Sequence, residues 1–235
     1  MLTPPRPAVN PDSAIFVRMA VACLLIVITG FTWNAALGRI LPGVLSLATL
    51  LHLILFLGWN VIAIVQPLFA GRAMHHLHRK IGWCAVLLAL GMCVSGLWVT
   101  TTAIAAGRAQ PANIFMMLNI LTVICFAGLV GAAMMMRRRT DWHGRLLTCA
   151  TILLTGPAWA RLLPMQSLGG AGLFAISGCV ILIASWGAAH DRRRRGRVHP
   201  AWYWGAATAA IIGPLTPLLA FMPVFDQWVS AHLAR

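Results

Sequence analysis

The stretch RAMHHLHRKIGW at 72–83 lies between two long apolar runs and carries three histidines and three cationic side chains. Two further segments, RRRTDWHGR at 137–145 and HDRRRRGRVHP at 190–200, also combine arginine with histidine, and each precedes another apolar run. Short Arg-rich loops between apolar spans are typical of multi-pass membrane proteins. The sequence therefore predicts an all-α integral membrane bundle whose turns lie at these polar segments.

The composition of the whole chain supports this class. Hydrophobic residues make up 60% of the chain and charged residues 9%, whereas soluble domains carry about 25% charged residues. A net charge of +14 would suggest nucleic-acid binding in a soluble protein. Here the cations lie in short loops beside apolar runs. The predicted partners are therefore the lipid bilayer and anionic lipids at its cytoplasmic face, and not nucleic acid.

The apolar runs are long enough to cross a membrane, which takes about 20 residues of helix. Seven of them form one predicted transmembrane domain over 1–235. A further stretch, 222–233, has apolar residues at helical spacing and predicts either a short helix lying in the outer interface or one packed against the bundle. The seven predicted spans are 14–33, 43–70, 81–105, 112–136, 145–164, 168–189 and 201–221.

The distribution of cations predicts the orientation of these spans. If the spans alternate in direction, fourteen of the eighteen lysines and arginines fall on one face. Cytoplasmic loops of membrane proteins carry the excess of positive charge. The N-terminus is therefore predicted to be cytoplasmic and the C-terminus outside, in the inner (plasma) membrane. The four cations on the other face are Arg39, Arg108, Arg161 and Arg235.

Three histidines, His78, His143 and His199, stand at the starts of the third, fifth and seventh spans, at one depth on the cytoplasmic side. Neutral imidazole is a common ligand of transition metals and of haem iron. This layer predicts a site for haem b or a transition metal with these histidines as ligands. Arginines in the layer would neutralise an anionic group of the cofactor through bidentate hydrogen bonds, and the predicted ones are Arg79, Arg145 and Arg197.

The same layer contains further side chains that could bind a metal ion. The alternative interpretation is that all of them cap helices and meet anionic head groups, as interfacial histidines and arginines do. The complete predicted metal set is His75, His76, His78, His143, His190, His199, Asp141 and Asp191.

One histidine, His52, lies inside a span, where an ionisable residue points to function. It is predicted either to bind haem together with Met116 or Met117 or to form a hydrogen bond to a facing helix. Two amides in the same span, Asn60 and Gln66, are predicted to line a polar cavity or to join helices.

Two resemblances bear on function. The segment HHLHRKIGW at 75–83 resembles the His-Arg-x-x-Gly element at helix starts in bacterial b-type cytochrome-like and haem A synthase-like membrane proteins. The segments DWHGR at 141–145 and RVHP at 197–200 are similar to parts of uncharacterised bacterial seven-span proteins of the domain-of-unknown-function type. The first resemblance implies that the histidines opening the odd-numbered spans are haem ligands, although this chain lacks paired mid-membrane histidines.

Two functions follow as hypotheses. The first is a membrane protein that binds haem or a metal through the cytoplasmic histidine layer and has a redox role. The second is a cofactor-free membrane subunit, a scaffold or a small-molecule permease, in which the histidines cap helices. Another membrane protein or a second copy of the chain is a further predicted partner. The sequence assigns no catalytic residue and no class of enzyme.

Overall fold

A computed structural model describes residues 12–39 and 46–233. Residues 43–45 of the second predicted span, and the cations Arg6 and Arg235, lie outside the described residues. Within these ranges all regular secondary structure is helical, which confirms the all-helical prediction. The helices are α1 (Ser13–Ala36), α2 (Leu47–Gly71), α3 (His75–Ala105), α4 (Ala112–Met135), α5 (Thr140–Leu153), α6 (Gly156–Leu162), α7 (Met165–Leu168), α8 (Ala171–Arg195), α9 (Pro200–Ala220) and α10 (Pro223–His232).

Six of the described helices, α1, α2, α3, α4, α8 and α9, are long and apolar enough to cross a membrane. They indicate a multi-pass membrane protein. The fifth predicted span is present as two shorter helices, α5 and α6, because the chain breaks its helix at Leu154 and Thr155. Pro157 explains the break, since it has no N–H to donate to the carbonyl of Leu153 and its ring would clash with that group.

Two helices extend further into the polar segments than the sequence predicts. α3 begins at His75 instead of 81, so its histidines lie in the first turn of the helix and not in a loop. α8 continues to Arg195 instead of ending at 189. Arginine is a good helix former, and its charge is favourable at a helix C-terminus. Gly196, with φ of 71°, then ends α8.

Several contacts bring the polar segments together at one end of the bundle. The start of α1 lies beside the end of α2, where a Cβ on Gly71 would come within 2.8 Å of the Ser13 side chain. The starts of α3 and α5 meet through the rings of His78 and His143. The start of α5 also meets the end of α8 through Arg145. We call this end of the bundle, which carries the 72–80, 137–145 and 190–200 segments, the cationic end.

The C-terminal helix α10 packs against α4 at the opposite end of the bundle. Val229 is buried in that contact, and Asn113 donates a hydrogen bond to the Asp226 carboxylate at 2.7 Å. The other side of α10 leaves Val224 and Trp228 exposed. One face of α10 therefore packs on the bundle, and its other side carries apolar side chains that the described residues leave uncovered.

The core of the cationic end is an ion network centred on Arg145, which is fully buried. Its guanidinium binds Asp191 in a bidentate manner, with Nε to Oδ2 at 2.7 Å and Nη2 to Oδ1 at 2.5 Å. Nη2 also donates to Asp12 at 3.0 Å, and Nη1 donates to the backbone carbonyl of Asp141 at 2.9 Å. The Trp202 indole adds a hydrogen bond to Asp191 at 2.8 Å. One buried cation is thus neutralised by two buried carboxylates from different parts of the chain.

The two carboxylates are themselves balanced by a second arginine. Arg195, at the end of α8 and partly exposed, also forms an ion pair with Asp12. The network therefore holds together the start of α1, the start of α5, the end of α8 and, through Trp202, the start of α9.

Breaking this network should cost much of the stability of the protein. We expect Arg145→Gln to lower the free energy of unfolding by about 3 to 5 kcal/mol, because it leaves two carboxylates buried without their main partner. Denaturant titration of the detergent-purified protein would measure the change. Arg138→Gln removes the same charge from an exposed position and should have little effect. Equal stability of the two variants would contradict this account of the network.

Candidate cofactor site

A cavity of about 750 Å³ opens among α1, α2, α3, α4 and α5. Its walls are mainly apolar, and its inner part is bordered by Cys23, Trp59 and Thr151. The Trp59 indole donates to the Thr151 hydroxyl at 3.2 Å, so this polar pair is satisfied within the protein. Towards the cationic end the lining changes to His75, His78, Arg79, Arg137, Thr140 and His143. The cavity thus joins an apolar interior to a cationic mouth, and its volume lies within the usual range for a small-molecule site.

Two of the predicted ligands, His78 and His143, meet in this cavity. His78 lies in the first turn of α3, and His143 lies one turn into α5. The centres of their rings are 6.4 Å apart, and the ring planes are 77° from parallel. Both side chains are half-buried. The sequence places these residues at one depth, and the structure shows that they are also lateral neighbours.

Each of the two imidazoles is oriented by a helix other than its own. Nδ1 of His78 lies 3.2 Å from the backbone carbonyl of Gln66 on α2. Nδ1 of His143 lies 2.8 Å from the backbone carbonyl of Ala133 on α4. A carbonyl oxygen only accepts, so each Nδ1 carries the proton, and in a neutral ring each Nε2 then has a free lone pair. A histidine that binds a metal through one ring nitrogen typically donates its other N–H to a carbonyl in this way.

The side-chain amide of Gln66 is buried beside the same cavity. Neither its nitrogen nor its oxygen has a hydrogen-bond partner among the described residues. A buried amide without a partner costs about 1 to 3 kcal/mol. Of the two roles that the sequence left open, Gln66 has the first, since it lines a cavity. The Asn60 amide donates to the carbonyl of Phe56 in its own helix, and that bond joins no second helix.

The third predicted ligand, His199, lies in a different set of contacts. It caps α9, where Nδ1 accepts from the backbone N–H of Ala201 at 3.2 Å. Its Nε2 lies 3.1 Å from the Asp141 carboxylate, and its ring packs edge-on against Trp142. Among the described residues, no ring contact links His199 to the other two predicted ligands. Both of its ring nitrogens are engaged within the protein.

The three arginines that were predicted to bind the cofactor lie in three different environments. Arg79 is exposed and contributes to the mouth of the cavity, together with Arg137. Arg145 is fully engaged by the ion network and does not line this cavity. Arg197 is exposed beyond the end of α8. Only Arg79 of the three therefore borders the cavity that holds His78 and His143.

The remaining predicted metal ligands do not come together. His75 and His76 are exposed in the first turn of α3, and His190 is half-buried on α8, with Nε2 lacking a partner among the described residues. Asp191 belongs to the ion network and Asp141 pairs with His199. Within 12–39 and 46–233, no group of three or more histidine, cysteine, aspartate or glutamate side chains could hold a metal ion.

The mid-span histidine, His52, forms a hydrogen bond to a facing helix. Its Nδ1 lies 3.0 Å from the hydroxyl of Ser95 on α3. This geometry agrees with the second of the two functions that the sequence left open for His52.

Two features of the site were not predicted from the sequence. The first is the neutralisation of Arg145 by Asp12 and Asp191, for which a signal existed: these are two of only four acids in the chain. The second is the role of the Gln66 and Ala133 carbonyls in orienting the histidines. Every residue has a backbone carbonyl, so the sequence cannot indicate which ones accept from the histidines, and only the structure identifies them.

Comparison with models of protein families, with curated proteins and with solved structures finds no match for this chain. The function of the protein is therefore inferred from the geometry of the cavity.

Proposed function

We propose that this protein is a multi-pass membrane protein that binds one haem group in the cavity, where His78 and His143 would hold its iron. The observation that carries the proposal is the pair of imidazoles with centres 6.4 Å apart. Two imidazoles on opposite sides of one metal ion, each bound through a nitrogen about 2 Å from it, have their centres about 6 Å apart. The pair therefore has the separation that a shared iron requires.

The number of ligands also favours haem over a bare metal ion. A structural zinc or copper site takes three or four protein ligands, and the described residues contain no such group. Haem supplies four nitrogens of its own, so the protein needs to contribute only one or two side chains. Two histidines with free Nε2 lone pairs match that requirement.

The shape and charge of the cavity support the same occupant. Its apolar inner walls suit the macrocycle, and Arg79 and Arg137 at the mouth suit two carboxylates. The unpaired amide of Gln66 indicates a cavity adapted to an occupant, because an empty apolar cavity would gain nothing from it. Haem held by His78 and His143 would supply one-electron redox chemistry, and the protein would contribute ligand orientation, charge neutralisation and exclusion of water.

An optical spectrum tests the proposal. Protein expressed with a supply of haem and purified in detergent should show a sharp α-band in the reduced-minus-oxidised difference spectrum. We expect His78→Ala and His143→Ala each to abolish the pigment, because each removes one of two ligands. The matched controls His76→Ala and His199→Ala should retain it, since one residue is exposed and the other has both nitrogens engaged.

A flat spectrum from the wild-type protein would contradict the haem site. The functions to pursue would then be a cofactor-free subunit or a permease. Pigment lost in all four variants would also contradict it, because the histidines would then act only through folding.

We further propose that the chain crosses the inner membrane seven times, with the N-terminus and the cationic end in the cytoplasm. The direction of α8 supports seven crossings. Asp191, near the C-terminal end of α8, lies beside Arg145 near the start of α5, so the chain must pass to the other end between α5 and α8. The helical residues of α5 and α6, 14 and 7 in number, add up to about 32 Å of helix at 1.5 Å per residue.

The positive charge supports the orientation, since the crowded cationic end belongs in the cytoplasm, where it can also meet anionic lipids. Fusions at the C-terminus test it. We expect an alkaline phosphatase fusion after 235 to be active and a green fluorescent protein fusion to be dark, because the C-terminus lies outside. The reverse result would show an even number of crossings or the opposite orientation. Fusions in the 190–200 segment should give that reverse pattern and serve as the control.

A further inference from the structure

A second recess lies on the surface of the bundle between α1, α6 and α8. It has a volume of about 340 Å³ and almost entirely apolar walls. Its lining comes mainly from Ala22, Ile26, Trp159, Leu182, Ile183 and Trp186. We call it the α1/α8 groove.

The α1/α8 groove ends near a close crossing of two helices. A Cβ on Gly30 of α1 would lie 2.7 Å from the backbone oxygen of Ala158 on α6, so only glycine fits there. The crossing also brings Trp159 and Arg161, which follow Ala158 by one and three residues in α6, next to α1. Trp159 lines the groove together with Ile26, which lies about one turn of α1 before Gly30. Arg161 contacts Phe31, the residue after Gly30.

Arg161 is a half-buried cation without a carboxylate partner among the described residues. Its guanidinium carbon lies 4.1 Å from the centre of the Phe31 ring, and Nη1 donates to the carbonyl of Pro157 at 2.7 Å. Its Nε is buried with no hydrogen-bond partner among the described residues. A cation that has lost part of its hydration is stabilised when an anion pairs with it. Its surroundings therefore call for an anion from outside the chain.

Trp159 leaves a second donor without a partner. Its indole nitrogen is buried and has no hydrogen bond among the described residues. Ile26 in the groove and Phe31 beside Arg161 are separated by about 7 Å along α1, at 1.5 Å per residue. A cation with a free N–H thus stands just beyond one end of an apolar groove, at the end of the bundle opposite the cationic end.

We propose that α1, α6 and α8 form a binding site for one anionic phospholipid, with its phosphate on Arg161 and one acyl chain in the α1/α8 groove. The guanidinium provides the charge and the N–H donors that phosphate accepts. The groove provides the apolar surface for the chain. This site is independent of the haem proposal, since it shares no lining residue with the cavity.

Photo-cross-linking tests this site by position. Purified protein is mixed with phosphatidylglycerol or with phosphatidylcholine that carries the same diazirine-labelled acyl chain, and the cross-linked peptides are mapped by mass spectrometry. We expect phosphatidylglycerol to label the groove segments of α1 and α8 about fivefold more than phosphatidylcholine, as one cation near a membrane surface provides.

Substitutions connect the labelling to Arg161. Arg161→Gln should reduce phosphatidylglycerol labelling of the groove to the level of phosphatidylcholine, and Arg161→Lys, which keeps the charge, should retain most of the preference. Arg108→Gln is the matched control, because Arg108 is an exposed arginine at the same end of the bundle. Equal labelling by the two lipids would overturn the proposal. An equal loss in Arg108→Gln, or labelling that avoids the groove, would overturn it as well.

Discussion

The buried guanidinium of Arg145 is the constraint on which the cationic end depends. A cation without exposure to solvent must be paired, because its desolvation costs several kcal/mol that only close carboxylates can offset. Asp12 and Asp191 meet that requirement from two distant parts of the chain. The network thereby fixes where α1, α5, α8 and α9 lie relative to one another. It also fixes the rotation of α5, since Arg145 points into the network.

The candidate haem site follows from that rotation. Gly144 faces Phe16 of α1 so closely that a Cβ would lie 2.7 Å from its ring, and His143 is directed towards α3. The ring then meets His78, and both Nδ1 atoms are taken by carbonyls of neighbouring helices. Five helices thus cooperate to hold two imidazoles, which is the kind of preorganised support that a cofactor site needs. The histidine pair is therefore a consequence of helix packing around a buried ion network.

Much of the architecture could be predicted from the sequence because lipid imposes a simple rule on composition. Long apolar runs and Arg-rich turns predict membrane-spanning helices, and six such helices are present among the described residues. The division of the fifth predicted span follows from Pro157, whose effect on a helix is local and readable. The start of α3 at His75 was harder to predict, since histidine has only a moderate preference for helices.

The site was only partly predictable, because sequence position gives depth in the bundle but not lateral neighbours. The predicted depth correctly placed His78, His143 and His199 near one end of the bundle. In the fold, however, only the rings of His78 and His143 are in contact, and His199 pairs with Asp141. Arg145 looked like a ligand for an external anion because its carboxylate partners lie 46 and 133 residues away in the chain. Long-range pairing of this kind depends on tertiary packing, which cannot be predicted from the periodicity of apolar residues in the sequence.

Electron paramagnetic resonance of the air-oxidised, haem-loaded protein tests the central claim most directly, because it reports the axial ligands and their relative orientation together. Two histidines on one ferric iron give a low-spin signal, and ring planes near perpendicular, as the 77° angle requires, shift it to the strongly axial type. We expect that signal in the wild-type protein and in His199→Ala. A high-spin ferric signal, or a low-spin signal that persists unchanged in His143→Ala, would contradict the assignment of His78 and His143 as the ligand pair.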